Sequence, residues 1–319
     1  MKSSFLSALA TLAFAAAVQA QPFPGKPLRI VAPFPPGGAA DLSARIISEH
    51  LGRGLGQSVV VENRPGGSTI IGSEVVAKSP ADGHTLLVVF PSFIVNPSLR
   101  AKMPFDPLKD FRAVGQTLVV PMVVAVNPSV PATTLAELIA YAKAKPGALA
   151  YGTPGTGTTH HVMGEMLRLA AKIEITHAPF QGGGPALTAL QGGHIPMLYA
   201  NASEVAPHLK SGKVRPIVVT TAERTDALPD TPSMREAGFP ELVGSNWSGL
   251  VVPAATPAAT VARLNAELQK ALAHPEVAEK FKSYGMVPAP GTAEAFGAFL
   301  ASESARYGKV VREAGIKAE

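Results

Sequence analysis

Short apolar runs alternate along this chain with segments whose apolar positions recur every three or four residues, the rhythm of an α/β fold. The first pair is a strand over Leu28 to Phe34 and a helix from Ala39 to Leu55. Further strands are predicted at Ser58 to Glu62, His84 to Phe90, Leu118 to Val126, Leu149 to Gly152, Ile173 to Pro179, Ile195 to Tyr199, Val214 to Thr220 and Gly249 to Val252, with helices between them. Thr134-Leu135-Ala136-Glu137 reads as a capping box, in which hydroxyl and carboxylate satisfy the free amides of a first turn. Leu135, Leu138, Ile139 and Ala142 then share an apolar face until Lys145-Pro146-Gly147 stops the helix. Thr256-Pro257 places a cap before a first-turn proline, with Val261, Leu264, Leu268 and Leu272 on one face as far as His274-Pro275. A last helix is predicted over Ala293 to Ala314.

The N-terminus departs from this rhythm. Met1-Lys2, an alanine-rich apolar run from Phe5 to Val18 and then Val18-Gln19-Ala20 have the form of a secretory signal peptide over residues 1–20, cut before Gln21. The run is too short and poorly flanked for a stable membrane span, and no later apolar stretch approaches ~18 residues, so a soluble periplasmic product is expected. The chain has no cysteine, which removes disulfides and a lipid-bearing N-terminal cysteine. Its net charge of +5 is spread along the sequence, aromatic residues are 6%, and Trp247 is the only tryptophan. Nucleic-acid binding needs a basic stripe, with aromatic platforms for single strands, and neither is present. The 30 glycines and 30 prolines sit mostly at element ends rather than in one linker. Such a distribution suits a chain that crosses between two domains and later returns, near Val120 to Asn127 and near Gly244 to Val252. The expected division is residues 21–122 with 246–319 as one domain and 123–245 as the other.

Three glycine-rich segments each follow a predicted strand and open a helix: Pro35-Pro36-Gly37-Gly38, Tyr151 to Thr159, and Gln181-Gly182-Gly183-Gly184-Pro185. Unpaired amides at a helix start carry partial positive charge, and glycine lets a ligand approach the backbone, so carboxylate or phosphate can be held without a dedicated arginine. In an α/β sheet such turns gather at the carboxyl ends of the strands, where ligands bind.

The order of these segments carries a resemblance. PPGGAADLSAR at Pro35 to Arg45, VVVENRPGG at Val59 to Gly67, VAKSPADGHTLL at Val76 to Leu87, NPSL at Asn96 to Leu99 and FDPLKDF at Phe105 to Phe111 are followed by YGTPGTGTTHHVMGE at Tyr151 to Glu165, APFQGGGPAL at Ala178 to Leu187 and PHLKSGKVRPIVVTT at Pro207 to Thr221. Over essentially the whole mature chain the sequence resembles the substrate-binding receptors of the tripartite tricarboxylate transporter family, the Bug-type receptors. The resemblance implies a two-lobed, type II periplasmic binding fold of the Venus-flytrap kind, with two α/β domains joined by crossover strands and a small carboxylate held in the cleft. It implies ligand contacts from Pro36, Gly37, Gly38 and Ala39 on one lobe and from Gly155, Thr156, Gly157, Thr158 and His161 on the other. The partners implied are a carboxylate and the membrane subunits of a transporter, for a monomeric receptor without cofactor.

Where amino-acid-binding members resemble one another in a Phe-Asp-Asn-like run, this chain has Tyr199-Ala200-Asn201. Ala200 therefore replaces the acid that would receive an ammonium group, and with Asn201 it marks a ligand without an α-amino group: a small di- or tricarboxylate or an aromatic acid. The Gly-Tyr-Thr-Leu-Leu run of the family also changes, to His84, at a position expected to touch no ligand.

Other chemistries remain to be weighed. His161 and Glu165 have i, i+4 spacing, suited to two metal ligands, but no third ligand lies nearby, and a capping or positioning role for His161 competes, with His160 expected to face solvent. Nucleophile elbow, Walker loop and full G-x-G-x-x-G are all missing. Asp41 and Arg45 form an i, i+4 pair, read as first-turn charge with a surface ion pair. Trp247 either lines the cleft or packs the hinge. A secreted hydrolase using His161, or a sensor touching a membrane signalling protein, are the alternatives to a transport receptor.

Overall fold

The computed structural model describes residues 23–37 and 39–317, so the expected signal peptide and Gly38 lie outside the described residues. The elements in chain order are β1 (Leu28–Ala32), α1 (Ala39–Leu55), β2 (Val59–Asn63), α2 (Ile70–Ala77), β3 (Thr85–Val89), α3 (Ser92–Leu99) and β4 (Phe111–Val120). Then come β5 (Met122–Val126), α4 (Leu135–Ala144), β6 (Leu149–Thr153), α5 (Thr159–Ala171), β7 (Ile175–Pro179), α6 (Gly183–Gln191), β8 (Met197–Asn201), α7 (Ala202–Val205) and β9 (Arg215–Val219). The chain ends with β10 (Asn246–Pro253), α8 (Ala258–Leu272), α9 (Pro275–Ser283), β11 (Val287–Pro288) and α10 (Ala293–Ala314).

These strands form two sheets, ordered β11-β4-β10-β3-β1-β2 and β7-β6-β8-β5-β9. In the first, β1 runs parallel to β2 and β3, and β10 lies antiparallel between β3 and β4. In the second, β6 is parallel to β7 and β8, while β5 is antiparallel to β8 and β9. The result is a two-lobed α/β molecule. The strand predicted over Leu118 to Val126 is two strands, because Pro121 has no amide to continue a ladder and the chain leaves the first sheet there for the second. It returns before β10, where the Gly244 amide donates to the Thr220 carbonyl and the Thr220 hydroxyl donates to the Gly244 carbonyl at 2.7 Å.

Local physics explains most element limits. Helix α4 begins with the capping box: Thr134 Oγ1 accepts from the Glu137 amide, and the Glu137 carboxylate accepts from the Thr134 amide. Helices α1 and α10 occupy the spans their periodicity indicates. Thr256 is not a cap. Pro257 is extended and occupies the N-cap position without a side-chain bond, which leaves Thr256 buried beneath the helix start. His274 instead caps the following helix α9, whose first residue is Pro275. Of the helices expected between strands, α2 and α3, whose limits no periodic face or cap announces, are each eight residues long, the latter with Pro97 inside.

Helix α10 ties the lobes together. Its Phe296, Leu300 and Tyr307 share one apolar cluster with Leu87 of the first sheet, Val124 of the second and Val162 and Met163 of α5. Trp247 is fully buried and meets Phe296 and Phe299 edge-on at 5.9 and 5.3 Å, so it packs the return crossing rather than lining a cleft. Burying such a side chain contributes on the order of 2–3 kcal/mol. Among the described residues, no helix is long and apolar enough to cross a membrane.

Candidate functional site

A cavity of about 600 Å³ opens between the lobes, at the carboxyl ends of β1, β2, β6 and β7. The lobes meet at its rim: a Cβ on Gly157 would lie 2.9 Å from Leu99 Cδ1 across the gap.

On the first lobe, Phe34 and Pro35 of the β1–α1 turn line the cavity. The turn is held from beneath by Asp41, which forms the i, i+4 ion pair with Arg45 that its spacing suggested but is itself buried, 3% exposed, while Arg45 remains half-exposed. Its carboxylate accepts from the Gly37 amide (3.0 Å), Arg45 Nε (2.9 Å) and Asn63 Nδ2 (2.9 Å), and Asn63 Nδ2 also donates to the Phe34 carbonyl. Burial works against the charge, but the hydrogen bonds from Arg45, Gly37 and Asn63 outweigh it and hold the carboxyl down at about 2. Gly37 has φ +83°, a conformation glycine adopts without strain.

The second wall is a turn before α2 that sequence reasoning overlooked as a ligand-facing element. Ser68 (φ 53°, ψ 48°) and Thr69 (φ 83°, ψ −8°) are both left-handed and neither is glycine, a costly arrangement that neighbouring bonds must enforce. Asn96 Nδ2 donates to the Ser68 carbonyl at 2.7 Å, and Ser73 Oγ to the Thr69 carbonyl at 2.9 Å. Arg100, just past α3, reaches Ser68 Oγ with Nη2 at 3.4 Å. Among the described residues, Arg100 is the sole charged one lining the cavity and forms no salt bridge, and its Nε is buried without a partner. Ser92 Oγ, also on the lining, is likewise buried and unpartnered. The available signals were the Gly66-Gly67 pair before Ser68 and the NPSL run before Arg100.

The second lobe contributes the β6–α5 turn, where Gly155, Thr156, Gly157 and Thr158 all line the cavity. Gly155 (φ +151°) and Gly157 (φ +76°) set its path. Thr158 caps α5: Oγ1 accepts from the His161 amide and donates to the Gly155 carbonyl at 2.8 Å. His161 lies behind the turn, where Nδ1 accepts from the Gly157 amide at 3.1 Å. Its ring stacks on His177 at 3.6 Å, and His177 Nε2 is 2.7 Å from Thr153 Oγ1. Burial lowers both histidines to about 4, with the His161 neighbour adding to the effect on His177. Deeper still, the Tyr151 hydroxyl donates to Glu165 Oε1 and Arg168 Nε to Oε2, both at 2.6 Å. Glu165 and His161 are thus committed to internal bonds rather than aimed jointly at a metal.

The remaining expected residues fall elsewhere. Pro36, Gly37 and Ala39 continue the first turn, whose cavity-lining residues are Pro33, Phe34 and Pro35. Ala200 turns its side chain into the second lobe's core, among Leu187, Leu190 and Leu198. Asn201 is bonded to His160 Nε2 (3.1 Å) and Glu204 (3.0 Å). His160 is buried, contrary to the expected solvent-facing position, because α5 is covered from both sides by the second sheet and α10; burial lowers its pKa to about 4.

Comparison with known proteins places this geometry in a family. Protein BugT of Bordetella pertussis is 36% identical over 311 residues, covering 97% of this chain and 95% of that one. The structure of R. palustris Rpa4515 with adipate superposes with a TM-score of 0.76 at 34% identity, covering 92% of this chain and 99% of that chain. MatC (Rpa3494) from Rhodopseudomonas palustris with bound malate gives a TM-score of 0.73 at 30% identity, over 91% of this chain and 100% of that chain. The family model described as tripartite tricarboxylate transporter family receptor matches residues 43–316, and the chain belongs to that family.

Proposed function

We propose that this protein is a periplasmic receptor that captures a small carboxylate without an α-amino group in its interlobe cleft and presents it to the membrane subunits of a tripartite transporter. The observation that carries the reading is the charge of the cavity: one arginine, no carboxylate, and turns that open helices on both lobes. Arg100 supplies a fork of donors for a carboxylate, and Ser92 Oγ a further hydroxyl. Among the described residues, no acid lines the space to receive an ammonium group. The relatives solved with adipate and malate fit the same chemistry.

In this reading the domains divide as residues 21–122 with 246–319 and residues 123–245, and export depends on the N-terminal signal. Ligand bridging the two lobes favours the closed arrangement through contacts the open one lacks. The protein acts by binding, with no chemical step.

The test is calorimetric titration of the mature protein, from Gln21 onward and freed of bound ligand, with malate, adipate, citrate, benzoate, glutamate and glucose. Binding of one or more of the carboxylates lacking an amino group, weakened about 10- to 100-fold by Arg100→Gln, is expected. Preference for glutamate, or no carboxylate binding, overturns the proposal.

A further inference from the structure

A second cluster of chemistry-bearing side chains lies outside the cleft, where the last turns of α1 meet the start of α9. His50 belongs to α1, His274 is the cap residue of α9 and Glu276 stands in that helix's first turn. The His50 side chain is 7% exposed and its Nε2 has no hydrogen-bond partner. A buried imidazole nitrogen without a partner calls for an explanation. That nitrogen lies 3.4 Å from Glu276 Oε2, and the His50 and His274 rings are 4.1 Å apart between centroids. One donor atom from each of the three side chains falls within 4.8 Å of the others.

We propose that His50, His274 and Glu276 form a binding site for a divalent transition metal of the zinc type, joining α1 to α9. Two imidazoles and a carboxylate are ligands suited to zinc, with metal–ligand distances near 2.0–2.2 Å. Tetrahedral geometry at those distances separates neighbouring donor atoms by about 3.3 Å, close to the spacing of His50 Nε2 and Glu276 Oε2. The other carboxylate oxygen, Oε1, is held by Lys280 Nζ at 2.8 Å, which orients Oε2 toward His50. His274 Nδ1 accepts from the Glu276 amide at a long 3.3 Å. A neutral imidazole carries one proton, so ligation through either nitrogen gives up that bond; the metal replaces a cap with a link between helices. With three protein ligands, the fourth position belongs to water. Imidazole ligands also suit copper and nickel, whereas magnesium prefers an oxygen shell.

The experiment uses the tag-free mature protein after chelator treatment, titrated with zinc chloride by calorimetry and followed by cobalt(II) absorption as a report of coordination. One zinc per chain at micromolar dissociation constant or tighter, a raised unfolding midpoint, and no response to magnesium are expected. His274→Ala and Glu276→Gln, both at exposed positions, should each weaken zinc binding at least tenfold, and His50→Phe should abolish it while preserving the ring's volume. Absence of zinc binding, binding only at millimolar concentration, or zinc affinity unchanged in His274→Ala and Glu276→Gln overturns the site whether or not His50→Phe folds.

Discussion

His161 shows how one residue can shape a turn from behind. Its Nδ1 accepts the Gly157 amide, a role open only to the neutral ring. Burial holds its folded pKa at about 4, against 6.5 for an ordinary histidine, and His160 behaves alike. Between those values the unfolded chain takes up protons that the folded chain refuses, so stability rises with pH through the window and is fully present above about 6.5. Each buried histidine contributes a slope of up to about 1.4 kcal/mol per pH unit. His161→Asn keeps an acceptor near Nδ1 but cannot be protonated. Its unfolding midpoint, scanned between pH 4 and 6.5, is expected to vary less steeply than that of the parent; equal slopes would show that His161 does not set this dependence. The resemblance associated His161 with this turn, whereas the packing that holds its ring behind the turn depends on His177 and Tyr151, which arrive from β7 and β6 and are distant in sequence.

At the level of elements, the sequence was most informative where a single helix states its own rules. Helices α1, α4 and α10 have periodic apolar faces, and α4 and α10 also carry the side-chain caps Thr134 and Thr292, so their limits follow from nearby residues. Helices α2 and α3 are only eight residues long, too short for a sustained periodic face, and α3 contains Pro97. They nevertheless carry the wall with Ser68, Thr69, Ser92 and Arg100, whose convergence depends on tertiary contacts. The glycine turns were legible as turns that open helices; the arginine opposite them, Arg100, was not singled out. Element packing also sets tolerances. Gly164 on α5 lies so close to the Tyr151 ring that an added Cβ would sit 2.2 Å from it. Gly164→Ala is expected to destabilise the protein by about 1–3 kcal/mol, as overpacking does, and to disturb the Tyr151–Glu165 bond. A denaturant midpoint unchanged from the parent would mean that β6 and α5 separate more easily than their packing implies.

The whole molecule is two lobes whose chain crosses at Pro121 and returns before Asn246. Proline and glycine at element ends suggested a crossing and a return, whereas strand order required the paired structure. The central position of β10 could not be read from its composition, since Trp247, Leu250 and Val251 would suit any buried strand. That position governs when the first lobe can form. β10 separates β3 from β4, and α8 and α10 follow it, so a chain ending at Gly244 lacks the strand that joins the two halves of its first sheet. Such a fragment, purified and observed by amide hydrogen exchange, is expected to protect β5 to β9 while leaving β1 to β4 open; protected β1 and β3 amides would contradict this. During synthesis, then, the earliest-emerging segment is among the last to complete its structure. If the chain is exported as proposed, that delay keeps its leading portion threadable until nearly all of it has been made.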